Sequence, residues 1–576
     1  MKVSDYIAHF LSHKGISHVF ELSGGMITHI LDSIYALKKI TIVTMHHEQG
    51  VAFAVDGYSR IKNLPGVALA TSGPGATNLL TGIGSCYFDS VPAIFITGQV
   101  NQHELKGDKP IRQLGFQETD IVSMAMPITK ACFQIHDANK LPEILEEAFH
   151  IATSGRPGPV LLDIPMNIQR VLIKDFDESE FKRSADLKTG KTDVAVLEDL
   201  YQSVLKSDKP LILAGRGILS SDSKNIFNEF VNVSKIPVVT SLMAVDAISY
   251  SDKSRVGFIG SYGNRWANIS LGKCDCLIVL GSRLDIRQTG ADTVSFKSGK
   301  KIIHVDIENG EMNNRVKDCI TINSDVKTFL KDAVEFFSSK NIASKNNWIE
   351  EINQLKAKWP DTNEINIVKG INPNHFIHRL SKDSYSAKGY SVDVGSHQMW
   401  AAQSIELNGE QFFITSGGMG AMGYALPAAI GACFAENIKP VVVISGDGGF
   451  QLNIQELQTI KRNNLPLKMV ILNNQSLGMI RQFQDSYFDG RHQSTVWGYS
   501  APDFGKIAVA YGIDSLTISS EEEINDALKS LWQDPQDPFL LQVMIDPGAN
   551  AYPKIAFGKP ITEMEPFAES IDMEGT

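Results

Sequence analysis

Short apolar runs alternate with longer amphipathic stretches along most of this 576-residue chain. Apolar runs bounded by turn residues are typical of buried strands, and amphipathic stretches between them are typical of helices that cover a sheet. The clearest runs lie at 67–70, 93–97, 160–164, 211–213, 276–280, 302–305, 441–444 and 469–472. The alternation therefore predicts an α/β protein built on parallel sheets.

Two polar stretches without a periodic apolar face interrupt this alternation, at 178–194 and 338–347. Such shifts in composition favour linkers. A chain of 576 residues is also too long for a single hydrophobic core. We therefore predict three doubly wound parallel-sheet domains, covering residues 1–180, 190–340 and 350–576.

Polar residues follow two consecutive predicted strands of the third domain. Gly446, Asp447, Gly448 and Gly449 end the first strand, and Asn474 ends the second. Because parallel strands present their carboxyl ends at one edge of a sheet, Asp447 and Asn474 are expected to converge. A carboxylate and an amide oxygen suit Mg²⁺, which is commonly held by such groups together with the phosphates of a ligand. The glycines would let the backbone approach that ligand closely.

Asn453 and Glu456 have the spacing of a capping box. This spacing predicts a helix that begins after Asn453. The helix N-terminus formed there would favour a phosphate group.

The segment from Asp447 to Asn474 resembles the diphosphate and metal motif of thiamine diphosphate (ThDP) enzymes. The resemblance implies ThDP and Mg²⁺ as cofactors, and it adds the backbone carbonyl of Ser476 to the metal ligands. In the stretch 414–432, Met422 matches the bulky residue that bends the cofactor. The other residues implied to contact ThDP are Ser396, His397, Gly420 and Met479.

Glu48 lies at the predicted start of an amphipathic helix within 45–60. An acidic residue at this place complements the helix dipole. The stretch 66–100 resembles the pyrimidine-binding domain of ThDP enzymes, and Glu48 then matches their activating glutamate. Its carboxyl would favour the imino tautomer of the aminopyrimidine, so that the cofactor deprotonates itself. The family arrangement places Glu48 and Asp447 of one site on different subunits, which implies a homodimer or a dimer of dimers.

Over nearly its whole length the chain resembles the large subunit of acetolactate (acetohydroxyacid) synthase. The longest matching segments are 116–122, 154–165, 397–403 and 477–484. Such a synthase decarboxylates pyruvate and adds the two-carbon unit to a second 2-keto acid, in a pocket that excludes water. The implied apolar walls are Phe116, Met243, Met479 and Phe483, and the implied polar groups facing the substrate are Gln117 and Arg287.

The resemblance also implies that the middle domain holds FAD. Because the synthase reaction has no net redox change, this flavin would be structural. The matching residues are Arg156, Gly215, Gly217, Ser241, Leu242, Met243, Gly260, Gly281, Arg283, Asp285, Arg287, Asp306, Ile307 and Met399.

Several positions depart from the synthase pattern, and most belong to the implied substrate channel. Met166 replaces a lysine, Phe483 replaces a tryptophan and Tyr262 replaces a histidine. The segment 549–566 resembles that of synthase-like enzymes of surface-polysaccharide sugars. Two alternatives therefore stay open: the same donor chemistry with a nucleotide-linked keto-deoxysugar as acceptor, or a ThDP pyruvate oxidase or decarboxylase.

The resemblance implies small-molecule partners, namely pyruvate and a keto acceptor, and composition is consistent with this. A net charge of −11 and a pI near 5.7 argue against nucleic acid. Charged residues interrupt the first twenty positions, so no signal peptide is expected, and the uncharged stretch 411–435 predicts a buried loop and helix rather than a membrane span. The six cysteines lack C-x-x-C spacing, which favours a reducing cytoplasm.

Overall fold

The computed structural model describes residues 1–173, 190–365 and 369–571. Three parallel six-stranded sheets follow one another along the chain, so the predicted α/β class with three doubly wound sheets is confirmed. The predicted linker at 178–194 lies mostly outside the described residues. The exact domain limits stay predictions.

The first sheet has the order β2-β1-β3-β4-β6-β5. Its strands are β1 His18–Leu22, β2 Thr41–Thr44, β3 Gly66–Ala70, β4 Ala93–Gln99, β5 Ala131–Gln134 and β6 Pro159–Pro165. The helices of this part of the chain are α1 Val3–His13, α2 Thr28–Leu37, α3 Glu48–Lys62, α4 Pro74–Asn78, α5 Leu80–Phe88, α6 Ile121–Ala125, α7 Leu141–Thr153 and α8 Met166–Gln169.

The second sheet has the order β12-β11-β10-β7-β8-β9. Its strands are β7 Pro210–Ala214, β8 Val238–Thr240, β9 Arg255–Phe258, β10 Cys276–Leu280, β11 Lys301–Asp306 and β12 Ile320–Asn323. The accompanying helices are α9 Val194–Lys206, α10 Gly217–Ser220, α11 Lys224–Ser234, α12 Arg265–Lys273, α13 Ile286–Thr289, α14 Thr293–Lys297 and α15 Val326–Ser338, and α16 Asn346–Lys358 leads into the third domain.

The third sheet has the order β14-β13-β15-β16-β18-β17. Its strands are β13 Gly389–Val392, β14 Phe412–Thr415, β15 Val441–Gly446, β16 Leu467–Asn473, β17 Asp514–Ile518 and β18 Phe539–Met544; a short antiparallel pair, β19 Lys554–Ile555 and β20 Met564–Glu565, follows. The helices are α17 Pro373–Asp383, α18 Ser396–Ser404, α19 Ala425–Ala435, α20 Asp447–Leu452, α21 Leu457–Asn463, α22 Gly478–Tyr487, α23 Phe504–Ala510 and α24 Ile524–Leu531.

Each sheet is buried on both faces, as continuous apolar strands require. In β15, Val441 and Val443 belong to one core cluster, while Val442 and Ile444 belong to another on the opposite face. Strands of period two divide their side chains in this way between two layers of helices. In the described part of the chain the buried apolar residues therefore form six clusters rather than one core, and the sheets separate clusters that lie on their opposite faces.

The uncharged stretch 411–435 differs in part from its prediction. It begins with strand β14, continues through an irregular segment and ends in the fully buried helix α19. No described helix is long and apolar enough to cross a membrane. The stretch is apolar because α19 packs between two domains.

Helix α3 of the first domain lies directly along α19 of the third. A Cβ on Gly431 would lie 1.8 Å from the carbonyl oxygen of Ala54, and one on Gly57 would lie 2.1 Å from that of Ala428. Tyr424 adds a hydrogen bond from its hydroxyl to Asp56 Oδ1 at 2.6 Å. Only glycine permits such close helix contact, so these positions fix how the two domains dock.

Candidate functional site

The predicted metal ligands meet at the carboxyl edge of the third sheet. Strands β15 and β16 pair in parallel with Gly446 opposite Leu472, so Asp447 and Asn474 leave the sheet side by side. The edge lies where the strand order reverses, between β13 and β15, which is the usual ligand crevice of an open α/β sheet. We call the residues 396–397, 446–449 and 474–478 the diphosphate site.

Three buried polar atoms of the diphosphate site have no hydrogen-bond partner within the described residues. They are Ser396 Oγ, His397 Nε2 and Ser476 Oγ. Buried polar groups in proteins are nearly always paired, and leaving one unpaired costs about 1–3 kcal/mol. Three unpaired buried polar atoms in one crevice therefore indicate that a polar ligand binds there. Two of the three are hydroxyl groups, which can donate hydrogen bonds to phosphate oxygens. The residues fit a bound diphosphate.

Asp447 is 2% exposed, and burial raises the pKa of its carboxyl to about 6. Tyr499 donates its hydroxyl to Asp447 Oδ2 at 3.0 Å, and this hydrogen bond lowers the pKa only in part. Asn474 Oδ1 accepts from the backbone N–H of Ser476 at 3.2 Å, which holds the predicted ligands in one turn. A buried carboxylate without a cationic partner is costly, and a divalent cation would remove that cost.

Glycines at the diphosphate site are required by close contacts. A Cβ on Gly446 would lie 2.7 Å from His397 Nδ1, and one on Gly448 would lie 3.2 Å from Met422 Cε. A Cβ on Gly478 would lie 2.7 Å from Asn474 Nδ2 and 2.9 Å from Ser396 Oγ. The segments around Ser396, Met422, Asp447 and Asn474 thus converge, as the sequence predicted.

The predicted capping box at Asn453 and Glu456 does not form, and that prediction is wrong. A separate helix, α20, ends at Leu452, and a helical turn at Ile454–Glu456 does begin after Asn453 as predicted, but the Asn453 side chain makes no capping hydrogen bond there. Asn453 Nδ2 instead donates to the carbonyl of Gly423 at 2.8 Å, and Glu456 accepts from the backbone N–H of His46 at 3.0 Å. Both side chains are used for contacts between segments, so neither is available to cap a local helix.

Asp393, which the sequence did not single out, organises the turn that carries Met422. Its carboxylate follows strand β13 and accepts from the backbone N–H groups of Gly423 and Ala425, both at 3.0 Å. Burial raises the pKa of Asp393 to about 6 although these hydrogen bonds lower it. Gly420 and Gly423 have φ of +63° and +82°, conformations that favour glycine on either side of Met422.

Glu48 is the first residue of α3, as predicted, and it is buried. Asn78 Nδ2 donates to Glu48 Oε2 at 3.0 Å, a partner that the sequence reasoning did not name. Within the described residues no hydrogen bond joins Glu48 to the third domain of its own chain. The neighbouring Gln49 does reach that domain, because Asn453 Nδ2 donates to Gln49 Oε1 at 3.2 Å. The shared site across two subunits stays a prediction.

The predicted substrate residues occupy different surroundings. Phe116 is 78% exposed and Phe483 is 39% exposed, so one chain by itself does not bury them. Gln117 has φ of +64° and packs on Gly73, where a Cβ would lie 3.0 Å from the Gln117 Cβ. Met479 packs against the core of the third domain. None of these four residues lines either of the two cavities of the described chain that are discussed below.

The predicted flavin residues line one cavity of about 490 Å³, which we call the first cavity. It opens where the order of the second sheet reverses, between β7 and β10, and so occupies the same topological position as the diphosphate site. The predicted residues in its walls are Arg156, Gly217, Ser241, Leu242, Met243, Gly260, Gly281, Arg283, Asp285, Arg287, Asp306, Ile307 and Met399.

Gly215 alone among the predicted set does not line the first cavity. A Cβ there would lie 2.1 Å from the carbonyl oxygen of Gly281, so this glycine supports the wall from behind. Asp306 ends β11 and is 8% exposed, and burial raises the pKa of its carboxyl. Its Oδ1 accepts from the N–H of Glu308 at 2.9 Å.

Arg216, between the two predicted glycines, also lines the first cavity. Its Nε is buried and has no hydrogen-bond partner within the described residues, and burial lowers the pKa of its guanidinium. Arg156, by contrast, is paired with Glu308 at 2.6 Å and with Glu311 at 2.7 Å. An unpaired buried arginine at a strand end fits an anionic ligand such as a pyrophosphate. The first cavity thus fits a dinucleotide.

Family models divide the chain in the same way as its three sheets. The N-terminal TPP binding domain of thiamine pyrophosphate enzymes matches residues 1–124, the central domain matches 197–333 and the C-terminal TPP binding domain matches 393–543. The fold and the diphosphate site therefore define a thiamine diphosphate enzyme.

Curated relatives narrow this class. The acetolactate synthase large subunit of Lactococcus lactis is 35% identical over 561 residues, covering 97% of this chain and 95% of the relative. A probable acetolactate synthase large subunit of Methanocaldococcus jannaschii is 36% identical, with 98% and 95% covered, and the chloroplastic acetolactate synthase 2 of Nicotiana tabacum is 35% identical, with 97% and 84% covered. The chain belongs to the acetolactate synthase large-subunit family of thiamine pyrophosphate enzymes.

Proposed function

We propose that this protein is a ThDP-dependent carboligase of acetolactate synthase type, which decarboxylates pyruvate and transfers the two-carbon unit to a 2-keto acid. The observation that carries the proposal is the set of orphaned polar atoms at Ser396, His397 and Ser476, in a chain similar over nearly its full length to acetolactate synthases. In the balanced reaction, two pyruvates give one acetolactate and one carbon dioxide: one C–C bond breaks and one forms.

When bound, ThDP supplies a centre that stabilises the negative charge left by decarboxylation. Asp447, Asn474 and the carbonyl of Ser476 would hold Mg²⁺ against the diphosphate, with the two serine hydroxyls donating to it. Glu48 would hold a proton at the aminopyrimidine ring. Met422, beside Gly448, would set the cofactor's bent shape.

We further propose that the first cavity binds FAD. Its arginines would pair with the pyrophosphate, and Asp306 at the end of β11 would meet a ribose or adenine group. Since the reaction leaves the flavin's oxidation state unchanged, the flavin would stabilise the fold and close one wall of the channel. The working assembly proposed is a cytoplasmic homodimer or dimer of dimers, in which a second subunit would cover Phe116.

The acceptor is tested by supplying pyruvate labelled with ¹³C at C2 to the protein saturated with ThDP, Mg²⁺ and FAD. We expect carbon NMR to show acetolactate labelled at two adjacent carbons, which proves that both halves come from pyruvate. Acetaldehyde or acetate without a new C–C bond would contradict the carboligase proposal and favour a decarboxylase or oxidase.

The same labelling experiment also shows whether pyruvate serves only as the donor or also as the acceptor. Slow release of carbon dioxide with only a trace of acetolactate would retain the pyruvate donor but contradict a 2-keto acid acceptor. The segment 549–566 and the substitutions Met166 and Phe483 motivate a nucleotide-linked ketosugar as the acceptor to add next.

A further inference from the structure

A second cavity, of about 670 Å³, lies where the second domain, helix α16 and the third domain meet. None of its lining residues lines the first cavity, and none belongs to the diphosphate site. Its walls come from the start of β9, from one face of α16 and from one face of α17. The proposed reaction makes no use of it.

Helix α17 turns a basic face toward the second cavity. His375, His378, Arg379 and Lys382 all line it, with the three- and four-residue spacing that places side chains on one side of a helix. Arg379 donates to Asn525 Oδ1, and Lys382 pairs with Glu406 at 3.3 Å.

Two further cations enter from the other walls and share one aromatic ring. The guanidinium carbon of Arg255, at the start of β9, lies 4.8 Å from the ring centre of Tyr250, and Lys356 Nζ from α16 lies 5.6 Å from the same centre. Arg255 is only 8% exposed. In the described part of the chain, neither side chain has a hydrogen bond or an ion pair. A buried arginine without an anionic partner is costly, and the ring offsets only part of that cost.

The nearest carboxylates are occupied by His378. Its Nε2 lies 2.9 Å from Asp361 Oδ2 and its Nδ1 lies 2.8 Å from Glu406 Oε1, so both ring nitrogens must carry hydrogens to bond them. Burial alone would lower the pKa of His378, but these two carboxylates raise it above its usual value. His378 is thus the hydrogen-bond partner of both carboxylates, whereas Arg255 and Lys356 are attracted to Asp361 and Glu406 without forming an ion pair with either among the described residues.

The charges around the second cavity do not balance. The carboxylates are Asp361, Glu406 and Glu521, and the cations are Arg255, Lys356, His378, Arg379 and Lys382. With His378 counted as protonated because it bonds two carboxylates, the cations exceed the carboxylates by two, which would balance the charge of about −2 on a phosphate monoester near neutral pH. We propose that the second cavity binds the phosphate group of a small anionic ligand. The Arg255 guanidinium would donate two parallel hydrogen bonds to phosphate oxygens, and the Lys356 ammonium would add a compact positive charge.

Calorimetric titration of the full chain, saturated beforehand with ThDP, Mg²⁺ and FAD, tests this site without interference from the other phosphate-binding positions. The probes are inorganic phosphate, glycerol 3-phosphate and succinate. We expect saturable binding of inorganic phosphate and of glycerol 3-phosphate. Succinate should bind more weakly, because each carboxylate has two oxygens where a phosphate group has at least three. Tighter binding of glycerol 3-phosphate assigns the site to an ester, and equal binding assigns it to free phosphate.

Variants locate the binding. Arg255→Met and Lys356→Met should each weaken phosphate binding about 10-fold or more, the loss expected for one charge-assisted hydrogen bond. Lys358→Met is the matched control, since Lys358 lies on the same helix, over Trp359 and outside the cavity, and it should leave the affinity unchanged. If Arg255→Met does not fold, Arg255→Lys keeps the charge without the two parallel hydrogen bonds and should bind several-fold more weakly.

Three results would overturn the proposal. No saturable phosphate binding would remove the site, and unchanged affinity in both Arg255→Met and Lys356→Met would place the anion elsewhere. Succinate binding as tight as that of glycerol 3-phosphate would refute the assignment to phosphate. None of these outcomes depends on the acetolactate reaction, so the proposed function is judged separately.

Discussion

The diphosphate site and the first cavity occupy the same position in their sheets but offer a ligand different side chains. Both lie where the strand order of a parallel sheet reverses, and both are proposed to receive two linked phosphates. The diphosphate site offers a buried carboxylate, Asp447, and no arginine, whereas the first cavity offers arginines such as Arg216 beside carboxylates such as Asp306. If the proposed cofactors bind, a metal ion would hold the phosphates in one domain and arginines would pair with them directly in the other.

The largest expected effect is that of Glu48→Gln, which should impair the activation of bound ThDP without impairing the binding of ThDP. Glu48→Gln should slow exchange of the C2 proton of bound ThDP by about 10²-fold or more, because the ring loses its proton partner. Affinity for ThDP should stay within a few-fold, since Asn78 can still bond the amide. Proton exchange followed by NMR measures the first quantity and calorimetry the second. Exchange of the C2 proton in Glu48→Gln that is as fast as in the wild type would contradict the assignment of Glu48 as the activating glutamate.

Asp447→Asn should break the metal-dependent site alone. Loss of the carboxylate removes a Mg²⁺ ligand, and we expect ThDP affinity to fall about 100-fold or more, as for loss of one partner of a buried ion pair. Flavin content, measured by absorbance of the purified protein, should not change. A chelator applied to the wild type is the control, and it should release ThDP and leave flavin bound. Loss of both cofactors would contradict the difference between the two sites.

Arg216→Met is the corresponding change in the first cavity. Among the described residues its guanidinium Nε has no hydrogen-bond partner, so we expect flavin affinity to fall about 10-fold or more, while Mg²⁺-dependent ThDP binding is retained. Arg156→Met is a useful comparison because Arg156 is already paired with Glu308 and Glu311. Flavin titration measures both variants, and an equal loss would refute the special place given to Arg216.

The turn that carries Met422 should make the stability of the protein depend on pH. Burial raises the pKa of Asp393 to about 6, so the folded protein holds this proton more tightly than the unfolded chain does. Stability from this group is present at low pH and is lost as pH rises through about 6, by on the order of 1–3 kcal/mol. Asp393→Asn should flatten that part of the pH profile of unfolding free energy. An unchanged profile in Asp393→Asn would contradict this role of the buried Asp393 carboxyl.

The smallest effect concerns the acceptor. Phe483 stands where synthases have a tryptophan, and its ring packs 4.8 Å from that of Tyr487. Phe483→Trp should change the preference between pyruvate and a 2-keto acid one methylene longer by about 10-fold or less. Competition between the two acceptors, with products separated by chromatography, measures the ratio. No change would place Phe483 outside the acceptor pocket.

The sequence alone predicted the parts of these sites that lie within one strand and its turn. Asp447 and Asn474 follow apolar strands, and the rule that parallel strands end at one edge brings them together. A helical turn begins after Asn453 as predicted, but the predicted capping box was wrong because the spacing of Asn453 and Glu456 is a local pattern, while both side chains bond to distant segments. Local propensity yields to tertiary contact when a better partner is available.

Residues that act across elements were not visible in the sequence. Asp393 accepts a hydrogen bond from a turn thirty residues further along the chain, and Asn78 donates to Glu48 from another helix. Arg216 lies between Gly215 and Gly217, and this short glycine pattern alone did not indicate a binding residue. The second cavity is the extreme case, since its cations come from three elements and no motif joins them. Only the packed structure shows that Arg255 lacks a hydrogen bond or ion pair within the described part of the chain.

The most direct test of the account is a crystal structure of the protein with ThDP and Mg²⁺. The account predicts diphosphate oxygens within hydrogen-bond distance of Ser396 or Ser476 Oγ and a metal ion bound by Asp447 and Asn474. A diphosphate seated elsewhere, with these serine hydroxyls and His397 Nε2 still unpaired, would contradict it.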